Sequence, residues 1–193
     1  MNYLAHCFLS CSDEDLLLGN VITDFMRKKE EQNYHGRVLE GIRLHRKIDN
    51  YTDSHEASLL LRKLLRTRHG KYASVVVDLV WDYMLCLHWS DYSGTPLDVF
   101  IAPIYEMLIR RKKELPLAFR TKIDSMVDSD FLLSYQSKSK MRSSLEWMDR
   151  HVNFPSDFVG AIHDVEENFD YIERLFRRFF PDLIAFVDSH CDC

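Results

Sequence analysis

His45 and Asp49 lie four residues apart in a segment whose apolar residues recur with the period of an α-helix. At 3.6 residues per turn, this spacing places the imidazole and the carboxylate on one face of the helix, one turn apart. Neutral imidazole and carboxylate together are ligands that Mn²⁺, Fe²⁺ and Zn²⁺ accept in proteins. The pair therefore predicts a metal site, provided that further donors reach the same place from other parts of the chain.

Asp78 and Asp82 show the same spacing in the most apolar segment of the chain. Two carboxylates on one face of a buried helix repel each other unless a cation lies between them or a base pairs with them. A metal ion and a pairing with Arg43 or Arg46 both fit the spacing. His88 follows Asp82 by six residues, a rotation of about 240°, and taken alone it fits a helix-end histidine held by hydrogen bonds.

His6 and Asp24 are two further donors in apolar surroundings. His6 lies between Ala5 and Cys7, and Asp24 precedes Phe25. Taken alone, His6 fits a core histidine satisfied by hydrogen bonds, and Asp24 fits an exposed position on an amphipathic helix. The sequence has no Ser/His/Asp order, glycine-rich phosphate loop or Cys-x-x-Cys pair, so it gives no support to those chemistries.

The composition favours helices that could position these donors. A chain of 193 residues fits one domain, and six glycines and five prolines are few for a protein built of strands and turns. The periodicity predicts about eight helices and no convincing strand pair, hence an all-α fold of a single globular domain over residues 1–193. Asp53 or Ser54 is predicted to start one helix and Pro155 the last long one, with Pro181 restarting it.

The formal net charge of −5 is unevenly distributed, because residues 151–193 carry three arginines and nine acidic residues. A negative chain without a long basic stripe argues against nucleic-acid binding. The remaining residues hold four basic clusters, which fit either solvated helix faces or a docking surface for an acidic partner: Arg27-Lys28-Lys29, Arg43/Arg46/Lys47, Arg62/Lys63/Arg66/Arg68 and Arg110-Arg111-Lys112-Lys113.

Five cysteines occur, and none has a spacing typical of a structural metal site. Cys7 and Cys11 have helical spacing and apolar neighbours, which predicts core thiols, and Cys191 and Cys193 lie at a chain end. No signal-peptide pattern occurs, and no apolar run approaches the ~20 residues needed to cross a bilayer. These features predict a cytoplasmic protein with free thiols and no membrane segment.

Several separated motifs, in order, carry a resemblance to a known family. These motifs are Asn2-Tyr3-Leu4-Ala5-His6, Leu18-Gly19-Asn20-Val21-Ile22-Thr23-Asp24-Phe25, Gly41-Ile42-Arg43-Leu44-His45-Arg46-Lys47-Ile48-Asp49-Asn50-Tyr51-Thr52-Asp53, Asp78-Leu79-Val80-Trp81-Asp82-Tyr83 and Leu87-His88-Trp89. On them, the N-terminal half of the chain resembles the acyl carrier protein phosphodiesterase family, and the C-terminal half is similar mainly in length and helical character.

The resemblance implies an all-helical fold that is HD-domain-like, that is, a divergent relative of the HD-domain metal-dependent phosphohydrolases. It also implies an activity: hydrolysis of the phosphodiester that links 4′-phosphopantetheine to a serine of holo-acyl carrier protein. The implied cofactor is a divalent metal, Mn²⁺ first, with Mg²⁺ or Fe²⁺ as alternatives. HD-domain enzymes usually carry an adjacent His-Asp dipeptide, and this chain has none, so His45 and Asp49 would have to replace it.

The resemblance, together with the residue types, leads to a set of predicted roles. Arg43 and Arg46 are predicted to neutralise the phosphate, and Asp82 or His88 to transfer a proton or orient a ligand. Because acyl carrier proteins are acidic, basic clusters near the site should form the docking surface. The predicted metal ligands are His6, Asp24, His45, Asp49 and Asp78.

Two other functions fit parts of the same pattern. A nucleotide phosphohydrolase of the HD type would need aromatic side chains that stack on a base, and Trp81, Tyr83 and Trp89 are the candidates. A non-catalytic helical binding protein would use the histidines and aspartates only in buried ion pairs. A panel of substrates separates the first alternative from the phosphodiesterase, and metal analysis separates the second.

Overall fold

A computed structural model describes residues 3–10, 13–152 and 155–191. Within these ranges the chain forms α-helices and short 3₁₀ segments and no strand, which confirms the all-α prediction. No helix among the described residues is long and apolar enough to span a membrane. The α-helices are α1 (Tyr3–Phe8), α2 (Glu14–Ile22), α3 (Gly36–Ser54), α4 (Glu56–His69), α5 (Ala73–Leu87), α6 (Trp89–Tyr92), α7 (Leu97–Arg111), α8 (Leu117–Asp128), α9 (Lys138–His151), α10 (Gly160–Glu167) and α11 (Phe169–Asp188).

The junction between α3 and α4 differs from the prediction. Helix α3 continues through Asp53 and Ser54, and the cap of α4 is His55, whose Nδ1 accepts a hydrogen bond from the Ala57 amide at 3.2 Å. The predicted start at Asp53 or Ser54 is therefore wrong. An imidazole nitrogen here accepts the first-turn amide hydrogen bond that a Ser, Thr, Asp or Asn side chain usually accepts at a helix start.

Two predictions about the C-terminal helices are also wrong. Helix α10 begins at Gly160 rather than at Pro155, and α11 runs without a restart through Pro181. A proline inside a helix removes one backbone hydrogen bond. Phe179, Phe180 and Leu183 around it are completely buried, and their burial outweighs that loss.

Helix α5 lies in the core, as its apolar sequence predicts. Its Trp81 is completely buried and stacks on Phe179 of α11, with ring centroids 5.2 Å apart. The indole Nε1–H donates to Ser58 Oγ of α4 at 3.0 Å. Helix α5 is thus held between α4 and α11, and it forms the support on which the N-terminal helices rest.

Helices α2 and α3 cross with their backbones in direct contact. A Cβ added at Gly41 would lie 2.1 Å from the Leu16 carbonyl oxygen, and one added at Gly19 would lie 2.0 Å from the Val38 carbonyl oxygen. Only glycine at both positions permits this approach. The crossing brings the end of α2 against the middle of α3, where His45 lies.

Two of the described cysteines have the expected free thiols. Cys7 is buried and Cys86 is partly buried, both without a disulfide. Cys7 confirms the prediction of a core thiol. Cys11, Cys193 and Asn2 lie outside the described residues.

Candidate metal centre

His6 from α1 and His45 and Asp49 from α3 converge on one point. One donor atom from each residue lies within 4.8 Å of the other two, and this is the one such group of three among the described ranges. His6 Nε2 is 3.2 Å from Asp49 Oδ1, and His45 Nε2 is 3.1 Å from Asp49 Oδ2. The helical spacing thus places His45 and Asp49 on one face of α3, as predicted, and α1 supplies the second imidazole.

Asp24 adds a second carboxylate to the group. It lies in the 3₁₀ turn Thr23–Phe25 that follows α2, and its Oδ1 is 3.3 Å from His45 Nε2. The two imidazole rings stack with centroids 4.0 Å apart and planes 12° from parallel. The histidines are buried, whereas the side chains of Asp24 and Asp49 are 44% and 41% exposed. The cluster therefore has a closed imidazole side and an open carboxylate side.

The contacts within the cluster set its protonation. Burial, reinforced by neighbouring His45, lowers the pKa of His6 to about 4. Burial also acts to lower the pKa of His45, but hydrogen bonds to Asp24 and Asp49 outweigh it and raise that pKa to about 9. The same imidazoles hold the pKa of both carboxylates below the usual range, against the opposing effect of burial. At neutral pH the cluster thus holds two carboxylates, one neutral imidazole and one imidazolium.

The donor set fits a divalent transition metal. Two imidazole nitrogens and two carboxylate oxygens match the ligand preferences of Mn²⁺, Fe²⁺ and Zn²⁺ better than those of an oxygen-only site. His45 Nε2 lies 3.3 Å from Asp24 Oδ1 and 3.1 Å from Asp49 Oδ2, at the point where a divalent cation would compensate both charges. His6, Asp24, His45 and Asp49 are thus four of the five predicted ligands, brought together by the fold.

Asp78 lies outside the group of three but close enough to interact with it. Burial raises its pKa, and the charge of Asp49 raises it further. Its part as a fifth ligand stays a prediction.

Asp82 supports α1 rather than contacting the cluster. It is completely buried on α5, and its Oδ2 accepts a hydrogen bond from the Leu4 amide at 2.9 Å. Burial raises the pKa of this carboxyl to about 7. Because Leu4 lies two residues before His6, Asp82 fixes the helix that carries the ligand candidate. Of the two alternatives for this carboxyl, a metal ion or a pairing with Arg43 or Arg46, neither describes the contact found here, which is the hydrogen bond from the Leu4 amide.

His88 and the two arginines have partners elsewhere. His88 Nε2 lies 3.2 Å from Glu173 of α11, and the ring stacks on Phe176. These contacts fit the alternative that His88 is a helix-end histidine held by its neighbours. Arg46 forms an ion pair with Glu31, and Arg43 lies 4.0 Å from the same carboxylate. None of these contacts involves the cluster, and the predicted catalytic roles of His88, Asp82, Arg43 and Arg46 stay predictions.

The aromatic residues expected to serve a nucleotide are unsuited to that task. Trp81, Tyr83 and Trp89 are only 0%, 7% and 6% exposed, respectively. Their faces pack inside the core and offer no surface to a base. The prediction that they could stack on a nucleotide is therefore wrong.

Asn20 is a residue of the site that reasoning from metal-ligand types did not predict. It is completely buried, and its side-chain oxygen lies 3.1 Å from His45 Nδ1. The sequence did contain a signal, because Asn20 is a polar residue within the apolar run Leu16–Ile22 of α2. A buried amide needs partners, and here one partner is a ligand candidate.

Fold and site together define a class: a helical protein with an imidazole–carboxylate centre of the type found in metal-dependent hydrolases. The sequence profile of the family described as "Acyl carrier protein phosphodiesterase" matches residues 1–183. The chain belongs to this family, and as a member it is a hydrolase of the phosphodiesterase class.

Individual relatives agree with the family assignment. The chain is 29% identical over 190 residues to a protein of Photorhabdus laumondii subsp. laumondii named acyl carrier protein phosphodiesterase, with 98% of this chain and 96% of the relative covered. It is 27% identical over 186 residues to a protein of the same name from Escherichia coli, with 96% of both chains covered. No solved structure matches the chain.

Proposed function

We propose that this protein hydrolyses the phosphodiester between 4′-phosphopantetheine and the serine of holo-acyl carrier protein. The observation that carries the proposal is the convergence of His6, Asp24, His45 and Asp49 in a chain that matches the family over nearly its whole length. Water adds to phosphorus, and the bond from phosphorus to the serine oxygen breaks. The products are phosphopantetheine and a carrier protein with a free serine hydroxyl.

The four converging residues would hold a divalent metal ion, for which we propose Mn²⁺, with Mg²⁺ or Fe²⁺ as alternatives. When bound, such an ion lowers the pKa of a coordinated water and polarises the phosphoryl oxygens. The imidazoles form the buried side of this site, and the half-exposed carboxylates form the open side, from which substrate can approach. We also infer that the fold is a divergent relative of the HD-domain phosphohydrolases, with His45 and Asp49 one helical turn apart in place of an adjacent His-Asp pair.

A basic groove next to the cluster fits the acidic carrier protein. The groove has a volume of about 370 Å³, and it lies between the 3₁₀ segment Lys28–Asn33 and the N-terminal half of α3. Lys28 and Lys29 are exposed, and no acidic group of the described ranges lies within ion-pair distance of either. The groove is lined by Lys28, Lys29, Glu31, Gln32, Tyr34, His35, Leu39 and Arg43.

Two features link the groove to the cluster: the chain segment after Asp24 and the surface of α3. Asp24 lies four residues before Lys28 in the chain. On α3, successive residues turn by about 100°, so Arg46 lies on the surface between Asp49 and Arg43. A second basic group supports carrier binding less well; it consists of Arg62, Lys63, Arg66 and Arg68. Its Arg68 pairs with Asp157 and Asp164, and its Arg62 lies 3.8 Å from Asp53.

Incubation with holo-acyl carrier protein and Mn²⁺, followed by intact-mass measurement of the carrier, tests the proposed reaction. We expect the carrier to lose the mass of phosphopantetheine, and we expect excess chelator to prevent the loss.

His45→Ala and Asp24→Asn should each lower kcat/KM by at least about 100-fold, the usual scale for loss of a group that acts in catalysis. His163→Ala is the matched control, because His163 is exposed and pairs with the exposed Glu167, one turn further along α10. Full Mn²⁺-dependent activity in both site variants would rule out this site.

A further inference from the structure

Asn20 contacts both imidazole-bearing segments of the cluster at once. Its side-chain oxygen lies 3.1 Å from His45 Nδ1, and its Nδ2–H group donates to the His6 carbonyl oxygen at 3.1 Å and to Ser10 Oγ at 2.8 Å. Asn20 and Ser10 are both completely buried. A single amide thus ties the ring of one ligand candidate to the backbone of the other.

The orientation of this amide follows from its neighbours. The His6 carbonyl can only accept, and Ser10 Oγ uses its proton to donate to that carbonyl at 2.7 Å. Ser10 Oγ must therefore accept from Asn20, which places the NH₂ group of the amide on the side of α1. The amide oxygen is left facing His45 Nδ1, and the Asn20 backbone carbonyl lies 2.9 Å from the same nitrogen.

Two acceptors at Nδ1 fix the tautomer of His45. With both oxygens able only to accept, Nδ1 must carry a proton, and in the neutral ring Nε2 then holds the lone pair. Nε2 is the nitrogen that faces Asp24 and Asp49. A metal-ligating histidine commonly donates its other N–H to an oxygen in this way, which sets the ring orientation and raises its basicity. His6 has no such support, because its Nδ1 is buried without a hydrogen-bond partner among the described residues.

We propose that Asn20 is a positioning residue of the metal centre: its side-chain oxygen fixes His45 with Nε2 directed at the ion, while its NH₂ group anchors the amide to α1. The proposal rests on the proposed function for the presence of a divalent ion, but it concerns this chain's own hydrogen bonds. The carbonyl half of the amide acts on His45, and the NH₂ half acts on α1. These two halves can be separated by substitution.

Titration of chelator-treated protein with Mn²⁺ alone, followed by calorimetry, measures the effect on the centre. Asn20→Ala removes both halves of the amide, and we expect Mn²⁺ affinity to fall by about 10–100-fold. Asn20→Asp keeps an acceptor for His45 Nδ1 but loses both donors, so it should bind Mn²⁺ at least as tightly as the wild type while its unfolding midpoint falls. Ser10→Ala is the matched control, because it removes two buried hydrogen bonds of the same network without touching His45. It should lower the unfolding midpoint and leave Mn²⁺ affinity close to that of the wild type.

Equal losses of affinity in Asn20→Ala and Ser10→Ala, or in Asn20→Ala and Asn20→Asp, would overturn the positioning role and leave a structural one. If Asn20→Ala does not fold, Asn20→Leu takes its place in both comparisons, because leucine has nearly the shape of asparagine and carries neither half of the amide. A wild-type protein that binds no Mn²⁺ overturns this proposal together with the metal centre. A wild type that binds Mn²⁺ with the expected pattern among variants, yet leaves holo-acyl carrier protein intact, supports the positioning role and overturns only the proposed reaction.

Discussion

Asp49 holds the cluster together at the scale of single residues, because its two oxygens contact different imidazoles. Oδ1 faces His6 and Oδ2 faces His45. The amide of an asparagine would place an NH₂ group against one of these nitrogens, so the residue cannot be replaced by its closest neutral relative without disturbing one ring. The carboxylate is needed both as a charge and as a bridge between α1 and α3.

Asp82 gives the protein a pH dependence that is separate from the cluster. Burial raises its pKa from 3.8 to about 7, so the folded protein binds a proton there that the unfolded chain releases. This group therefore contributes most to stability below pH ~4, and the contribution is lost as the pH rises through ~7. Asp82→Asn keeps an acceptor for the Leu4 amide but cannot ionise. We expect the variant to gain stability relative to the wild type as the pH rises from about 4 to about 7.

Urea unfolding at several pH values measures this difference. Asp98→Asn is a suitable control, because Asp98 is exposed near the start of α7. A difference between Asp82→Asn and wild type that stays constant from acid to neutral pH would contradict the assignment of a raised pKa to Asp82.

Residue types and spacing predicted part of the site for a physical reason. The period of the helix fixes the relation of His45 to Asp49, and it could be read directly from the sequence. The approach of His6 and Asp24 depends on tertiary packing, and without the family resemblance their local sequence favoured other roles. The pairing of Arg46 with Glu31 could not be foreseen, because it depends on how the segment after Asp24 lies along α3.

At the scale of elements, the crossing of α2 and α3 sets the geometry of the centre. The two glycines at the crossing allow backbone contact, and that contact places Asn20 and Asp24 against His45. Because every element of the site is a helix or follows one directly, small shifts between helices move whole side chains. The centre is therefore sensitive to the distance between two helix axes.

Gly41→Ala tests this sensitivity. The new methyl group would lie 2.1 Å from the Leu16 carbonyl oxygen, and backbone cannot yield as a side chain does. Overpacking typically costs about 1–3 kcal/mol, and we expect this variant at the upper end, with its thermal midpoint lowered by several degrees and Mn²⁺ affinity reduced as well. Gly94→Ala, where nothing lies within 4 Å of the added Cβ, should leave both unchanged. A Gly41→Ala protein with wild-type midpoint and affinity would show that the crossing is not tight.

Helix positions were predictable where apolar period and end signals agreed, as in α5 and at Gly70, which ends α4 with φ of +52°. They were not predictable where packing decides. Pro181 predicts a break in the helix, yet buried apolar residues on both sides of it keep α11 continuous. His55 does not belong to the residue types expected at a helix cap, so the residue type did not predict the hydrogen bond from the Ala57 amide to its Nδ1.

At the scale of the whole molecule, charge is separated along the chain. The acidic residues of 151–193 belong to α10, α11 and their flanks, while exposed lysines line the groove beside the cluster. An acidic partner should therefore be attracted to the groove rather than to α10 and α11. Such attraction acts mainly on the rate of encounter, and it weakens as salt screens it.

Lys28→Glu combined with Lys29→Glu should raise KM for holo-acyl carrier protein by about tenfold, with a smaller change in kcat, because two favourable charges become repulsive. The salt dependence of kcat/KM should become flatter. Lys113→Glu combined with Arg174→Glu makes the same change in net charge at exposed positions away from the groove, and it should leave KM near that of the wild type. Equal effects from the two double variants would indicate a response to net charge instead of docking at the groove.

The anchoring of α1 on Asp82 has a consequence for recombination between relatives. All donors of the centre, and the groups that hold them, precede Ser93, while the helices from α7 onward supply packing and surface. A chimera joined in the turn between Ser93 and Pro96 would inherit all the candidate metal ligands from one parent and its C-terminal surface from the other. Exchanging halves at this single turn would therefore assign a difference in activity between this chain and a relative to one half of the chain.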